Sequence, residues 1–454
     1  MEGHTRLEAR TDLHEELQQL AEAGKVVRFL ARSRHLHPSD LSDILAALDE
    51  DVRIRLVVAL PPEIVSDALA EMEEEEHPED VLAALKPEQA ADIVEELDVD
   101  DAADLISELP SDKAARILAS VARRADIERL LRYDEESAGG RMNPEVVAVS
   151  ETASAAEAID EIRKQAEEVE EFYQVYCVNE ENGLVGMLPL QRLVVAKPET
   201  PVSEIMEQPL AAVTPDVDQE EVAQLIARYN IPSIPVVSLS GKLLGRITFD
   251  DVMDVVEAEA TEDILKFGGA PPEEQLAGTW YQAVRARLPW LYLNMFTASL
   301  AAIVVYVFRD TIERLLLLAA IMPIIAAMGG NAGSQALAVT VRRIAVGMIP
   351  AGRGMQVVGK ELLVGVVNGV AVGAIAGLVA TPFGFGWQFG VVVTLAMWGT
   401  LALATTAGAL IPLVLQKLGF DPAVASSVFV TALTDVVGFF LLLGLAAMLL
   451  LPSL

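Results

Sequence analysis

Beyond about residue 288 the chain contains five apolar stretches, near 288–308, 315–341, 362–386, 389–416 and 422–452. A bilayer core takes roughly 20 apolar residues per helix, so each stretch is long enough to cross one. In hydrocarbon every backbone N–H and C=O must be satisfied within the segment, which leaves the helix as the available form. An α-helical membrane protein with five transmembrane helices is therefore expected. What precedes them has the opposite character. The 454 residues carry a formal charge of −34, yet from Gly278 onward nine basic side chains meet five acidic ones. The residues before Gly278 thus carry a formal −38. A soluble part so charged repels phosphate backbones, which argues against nucleic acid as a partner. The lone Cys177 excludes a disulfide framework and a cysteine-based metal site. No apolar stretch opens the chain, so no cleaved signal peptide is expected and the acidic half should stay in the cytoplasm. No nucleophile–base arrangement stands out, so no catalytic residue is assigned and an enzyme is not expected.

Within the membrane half the third stretch carries Gly365, Gly369, Gly373 and Gly377, one per turn on one face. That spacing lets helices touch backbone to backbone where lipid supplies no hydrophobic drive. The second stretch is expected to be broken at Gly329-Gly330. Orientation follows from basic residues in the connections. Arg285 and Arg287 precede the first span, Arg342, Arg343, Arg353 and Lys360 fill the second connection, and Lys417 lies before the fifth span. The N-terminus is expected inside and the C-terminus outside. Asp435 falls inside the last stretch with no Lys or Arg in any span to pair with. An Asp near mid-bilayer costs at least roughly 2.5–3.5 kcal/mol. Two readings remain: an acid held neutral by the hydroxyls of Thr431 and Thr434, or a wall of a cation pathway. Asn331, Ser334, Gln335, Ser426 and Ser427 are further polar residues able to line such a pathway or to bond helix to helix.

The soluble half reads as three segments: acidic helices over 1–135, a duplicated α/β segment over 136–256, and an acidic connector over 257–280, before the membrane domain at 281–454. Short helices are expected over 15–130, each with Pro near its first turn, as at Pro38 and Pro87. The duplicated segment contains Gln174-Val175-Tyr176-Cys177-Val178 and Gly183-Leu184-Val185-Gly186 in one copy. The other contains Ile234-Pro235-Val236-Val237 and Gly241-Lys242-Leu243-Leu244-Gly245. Each copy resembles a CBS module, and such pairs often bind adenine nucleotides. The resemblance places a ribose-phosphate contact on Gly245, Thr248 and Asp251; a purely structural role for the pair is the alternative. Across 250–266 acidic residues recur at three- and four-residue spacings. Like charges at that spacing destabilise a helix, whereas carboxylates suit a hard divalent ion. A solvated helix face is the plainer reading.

The order of acidic helices, CBS pair, acidic connector and five spans, with MGGNAGSQ at 328–335, GFDPAVASS at 419–427 and ALTDVVG at 432–438, resembles the MgtE family of magnesium channels over nearly the whole chain. The resemblance implies a cytoplasmic α-helical superhelix domain, an α/β tandem CBS pair and a homodimer with one pore, multi-pass in the cell membrane. It implies Mg2+ uptake with Asp435 facing the ion, Thr431 offering a backbone carbonyl and Asn331 beside the pore mouth. Ser334 and Ser427 stand where other members have Asn. Closure by cytoplasmic Mg2+ is then assigned to Asp67, Asp100 and Asp104 of the helical domain, and to Glu220, Asp251 and Asp254 of the second CBS module. Glu259, Glu262 and Asp263 of the connector, and Asp421, join them. Asn230 replaces a usual acidic position. ATP at the CBS pair is a second candidate ligand. Two other functions fit the residues: a divalent-cation carrier coupled to H+ or Na+, and a membrane-tethered nucleotide sensor.

Overall fold

The computed structural model describes residues 13–453 apart from 34–35, 74–75, 167–168, 170–171, 269, 271–278, 351, 384–385 and 421–425. Asp421 therefore lies outside the described residues, as do the side chains of Asp263, Ser426 and Ser427. The chain divides into two compact units, Met1–Val256 and Glu257–Leu454.

The first unit begins with short helices, four of which, Pro38–Ala46, Pro62–Ala70, Pro78–Ala84 and Pro87–Glu96, start with proline. Proline suits the first helical position because its missing N–H would have had no partner there. The helices stack in two rows, each touching its neighbour but one in sequence. Pro38–Ala46, Pro62–Ala70, Pro87–Glu96 and Ser111–Leu118 form one row. Glu50–Val57, Pro78–Ala84, Val99–Ser107 and Arg124–Leu130 form the other. Each helix buries one apolar face between the rows and leaves its charged face outside, which is the arrangement expected of a superhelical stack.

The duplicated segment folds as two small sheets. β1 (Ala148–Ser150) pairs parallel with β2 (Val175–Val178), which pairs antiparallel with β3 (Leu184–Leu188). In the second copy β4 (Ser233–Val237) pairs antiparallel with β5 (Leu243–Thr248). The two turns lock onto each other through Leu184 N–H to Gly241 O and Leu243 N–H to Asn182 O, both 3.0 Å. The first copy has its own core around Val149, Val175 and Cys177. The second copy shares one continuous core with the helical stack, running from Leu17 through Ile106 to Ile247 and Val252. That shared core brings the helix Val99–Ser107 and the start of the second copy's closing helix into one packed body.

The closing helix, Phe249–Gly268, runs for 20 residues. The connector is thus the extension of a CBS helix, and the division between the two units falls within it.

The second unit holds five spanning helices: Trp280–Val307, Leu317–Ala345, Gly354–Ala380, Trp387–Lys417 and Ser426–Leu449. The fourth packs against the second, third and fifth, while the first rests on the fifth. The glycine stripe does what its spacing suggests. An added Cβ on Gly369 would lie 2.9 Å from the Trp398 carbonyl oxygen, and one on Gly373 would lie 2.8 Å from that of Thr394. The expected break at Gly329-Gly330 does not occur, since Leu317–Ala345 is one continuous helix. Breaking it would strand backbone groups in hydrocarbon. Gly329 instead admits the Thr400 methyl, 2.9 Å from where a Cβ would sit, and Gly333 admits Val430 at 2.6 Å.

Candidate functional site: a mid-span carboxylate and a cytosolic acid cage

Asp435 stands nine residues into Ser426–Leu449, roughly 14 Å along the axis at 1.5 Å per residue. It is half-buried, and Thr431, one turn earlier, is exposed. Between them Thr434 is buried and donates its hydroxyl to the Thr431 carbonyl at 2.9 Å. Inside the helix that carbonyl also accepts the backbone N–H four residues on, so the hydroxyl is its second donor. On the second span Gly329, Gly333, Ala336 and Leu337 face inward, while Asn331, Ser334 and Gln335 are exposed. The polar residues of both helices therefore lie on faces that a single chain leaves open at mid-span. Polar groups so placed in lipid normally face a bundle interior or a water-filled path.

A second acidic site lies within the first unit. Asp98 precedes the helix Val99–Ser107, and Asp100 and Asp101 occupy its first turn. Oxygen atoms of these three carboxylates lie within 4.8 Å of one another. Asp100 is only 8% exposed, and its Oδ1 has no hydrogen-bond partner. Burial, then Asp101, Asp251 and Asp98, push its carboxyl well above the usual range. Asp101 is pushed up in the same way by burial, Asp98 and Asp251. Burial also raises Asp251, although the backbone N–H and hydroxyl of Thr248 both donate to its Oδ2, at 3.0 and 2.5 Å. A buried carboxylate oxygen without a donor, surrounded by further carboxylates, fits a hard cation better than any neutral partner.

The cage is held by basic and amide groups at its edge. Asn143 Nδ2 donates to Asp98 Oδ2 at 3.1 Å, and Arg141 Nη1 to Asp104 Oδ2 at 3.0 Å. Arg123 donates to the carbonyls of Glu95 and Leu97, fixing the turn that delivers Asp98, and pairs with Glu145 at 2.9 Å. Of the expected cation ligands, Asp100 and Asp251 converge here, with Asp104 a turn beyond. Asp67 is exposed on Pro62–Ala70, outside the three-carboxylate group, and Glu220 is half-buried in the first turn of Gln219–Tyr229. On the connecting helix Asp254 is exposed, and Glu259 and Glu262 are half-buried. Sequence reasoning missed Asp98 and Asp101. Acids at a helix start look like ordinary complements to the helix dipole, and only their crowding around the buried Asp100 distinguishes them.

Gly245, Thr248 and Asp251 are turned to internal use. A Cβ on Gly245 would lie 2.6 Å from the Asn143 carbonyl, so this glycine lets the strand meet the segment at Asn143. Thr248 and Asp251 bond each other. Beside them opens a cleft of about 340 Å3 lined by Tyr173, Asn230, Ile231, Pro232, Phe249 and Asp250. Asn230 there takes a left-handed backbone, φ 51°, ending its helix. Two half-exposed rings and a polar rim suit a flat, partly charged ligand.

The chain is similar to known proteins over most of its length. Residues 322–445 match a family described as divalent cation transporter, MgtE. Residues 36–136 match the MgtE intracellular N domain, and 138–199 and 202–258 match CBS domains. The magnesium transporter MgtE of Enterococcus faecalis is 36% identical over 91% of this chain and 92% of its own length. That of Thermus thermophilus is 36% identical over 72% and 73%. A crystal structure of the cytosolic domain of the Mg2+ channel MgtE in complex with ATP covers 53% of this chain and 99% of its own. It shares 35% identity, with a TM-score of 0.51. With five apolar spanning helices, an acidic helical domain and a CBS pair in this order, the chain belongs to the MgtE family of magnesium transporters.

Proposed function

We propose that this protein is a Mg2+ channel of the cell membrane, working as a homodimer and closed by cytoplasmic Mg2+. The observation that carries the pore is Asp435, a carboxylate at mid-span on a face left open in the single chain. A second copy supplies the missing wall, so that two such carboxylates attract one hydrated dication while the exposed Asn331, Ser334 and Thr431 offer oxygen to its water shell. Mg2+ dehydrates reluctantly, so contact through water suits it.

The closing signal is read by the cytosolic carboxylates. When Mg2+ is scarce, the cage of Asp98, Asp100, Asp101 and Asp251 repels itself. When Mg2+ is plentiful, the ion neutralises the cage and tightens the helical stack against the second CBS module. Asp67, Asp104, Glu220, Asp254, Glu259, Glu262, Asp263 and Asp421 extend this response over the rest of the cytoplasmic face and the connector. Turning a two-state equilibrium from 1:99 to 99:1 takes about 5.5 kcal/mol of differential binding, a sum that several weak sites reach together. The cleft beside Tyr173 and Phe249 is the proposed place for ATP, with Gly245, Thr248 and Asp251 next to it in sequence as the further candidate contacts.

The test is divalent flux through reconstituted protein. Asp435→Ala should abolish Mg2+ current while leaving the dimer intact on size-exclusion chromatography. Normal Mg2+ uptake by that variant would remove the pore assignment. Flux that needs a proton or sodium gradient and gives no single-channel steps would replace the channel by a coupled carrier.

A further inference from the structure

Between Phe249 and Gly268 the connecting helix carries seven acidic side chains and a single basic one, Lys266. The Lys266 ammonium lies 2.6 Å from Glu262 Oε1, one turn earlier. The side chain of Lys266 is 8% exposed and that of Glu262 is 32% exposed. Lysine normally carries its charge out to water and is seldom buried unless paired. The order Glu then Lys, four residues apart, is the favourable one on a helix. It explains the pairing but not the burial.

We propose that Lys266 is a tethered competitor for the cation at Glu262, and that it sets the internal Mg2+ concentration at which the connecting helix responds. The proposal rests on Glu262 being a regulatory ligand. In the cation-free helix the ammonium takes the oxygen that a dication would take. Mg2+ reaches that oxygen only by displacing the Lys266 ammonium from it. The better Lys266 is held, the more internal Mg2+ is needed to close the channel. Glu259 and Asp263, neighbours of Glu262 in sequence on the same helix, attract both cations. They raise the local concentration of Mg2+ without deciding which cation Glu262 keeps. That choice falls to the competitor.

The experiment uses the full-length protein reconstituted in patches, with internal Mg2+ varied. Lys266→Met keeps most of the carbon stem and removes the charge. It should lower the half-closing Mg2+ concentration roughly three- to tenfold, the range of a partly exposed ion pair and somewhat above, with open conductance unchanged. Lys266→Arg, which keeps a fixed charge, should stay within about twofold of wild type by the same reasoning. In a Glu262→Gln background Lys266→Met should give no further shift. Lys266→Gln serves as the second neutral variant if the methionine protein elutes as aggregate. If Glu262→Gln raises the half-closing concentration but neither neutral variant lowers it, the competitor idea fails and the pair is a strut. An Arg variant that shifts as far as Met overturns it too. If Glu262→Gln alone changes nothing, the regulatory reading of Glu262 is what has failed.

Discussion

Replacing Asp100 by Asn should stabilise the cation-free cytosolic unit and remove most of what Mg2+ adds to it. Oxygens of Asp98, Asp100 and Asp101 lie within 4.8 Å of one another. At that separation and an effective dielectric of about 20, two full charges repel by about 3.5 kcal/mol. Asp100 takes part in two such pairs and faces Asp251 as well, so without a cation the folded cage binds protons more tightly than free carboxylates do. The sign follows from linkage. The folded unit holds protons that the unfolded chain releases near its ordinary value of about 3.9. Cation-free stability therefore falls as pH rises from about 4 through the raised folded values. Hydrogen bonds hold the exposed carboxylates Glu157 and Asp216 below the usual range, so they act in the opposite sense at lower pH.

Asparagine carries no charge and gains an N–H able to donate to the neighbouring carboxylates. Relieving one buried oxygen without a partner recovers about 1–3 kcal/mol. For a unit of this size that corresponds to roughly 3–10 °C in melting temperature. All four tryptophans, Trp280, Trp290, Trp387 and Trp398, lie in the membrane unit, so the melt of residues 1–256 is followed by far-ultraviolet circular dichroism. At pH 7 in chelator Asp100→Asn should melt higher than wild type. The gap should narrow at pH 5, and millimolar Mg2+ should raise wild type much more than the variant. A variant that melts lower in chelator at pH 7, or that gains as many degrees from Mg2+ as wild type, refutes the cage.

Gly369→Ala should lower the melting temperature of the detergent-solubilised protein, at a cost of about 1–3 kcal/mol for overpacking against backbone. Gly359→Ala, where an added Cβ meets nothing within 4 Å, should leave it unchanged, and equal melting of the two would refute the close helix contact. Burial and Glu151 push the Cys177 thiol up to about 12, so alkylation at pH 8 should follow unfolding and spare the native protein. Fast labelling of folded protein would contradict that burial. Tyr173→Ala should weaken ATP binding, measured calorimetrically, several-fold while leaving Mg2+ protection of the cytosolic unit intact; unchanged affinity would move the nucleotide away from the cleft.

Much of the fold was legible along the chain because its signals are local. Proline at helix starts marked the stacked helices, and Pro38, Pro62, Pro78 and Pro87 all open one. Gly-Gly ends helices in water, where the freed backbone groups find a solvent. In hydrocarbon they would find none, so Gly329 and Gly330 stay helical and serve packing instead. The acidic run over 250–266 lies on one helix, Phe249–Gly268, because no glycine or proline interrupts it.

By itself, the order of amino acids determined a two-part molecule: five spans set by runs of apolar residues, an acidic cytosolic part, one helix seam set by four-residue glycine spacing and one carboxylate at mid-span. Each of these depends on periodicity or on transfer from water to lipid, which neighbours in sequence already decide. Only the tertiary structure brought Asp251 to Asp100 and Asp101 across about 150 residues, left Asp100 Oδ1 without a donor, set Tyr173 and Phe249 on one cleft and buried Lys266. Those facts depend on which faces share a core, and a shared core places groups by packing, whatever their separation along the chain.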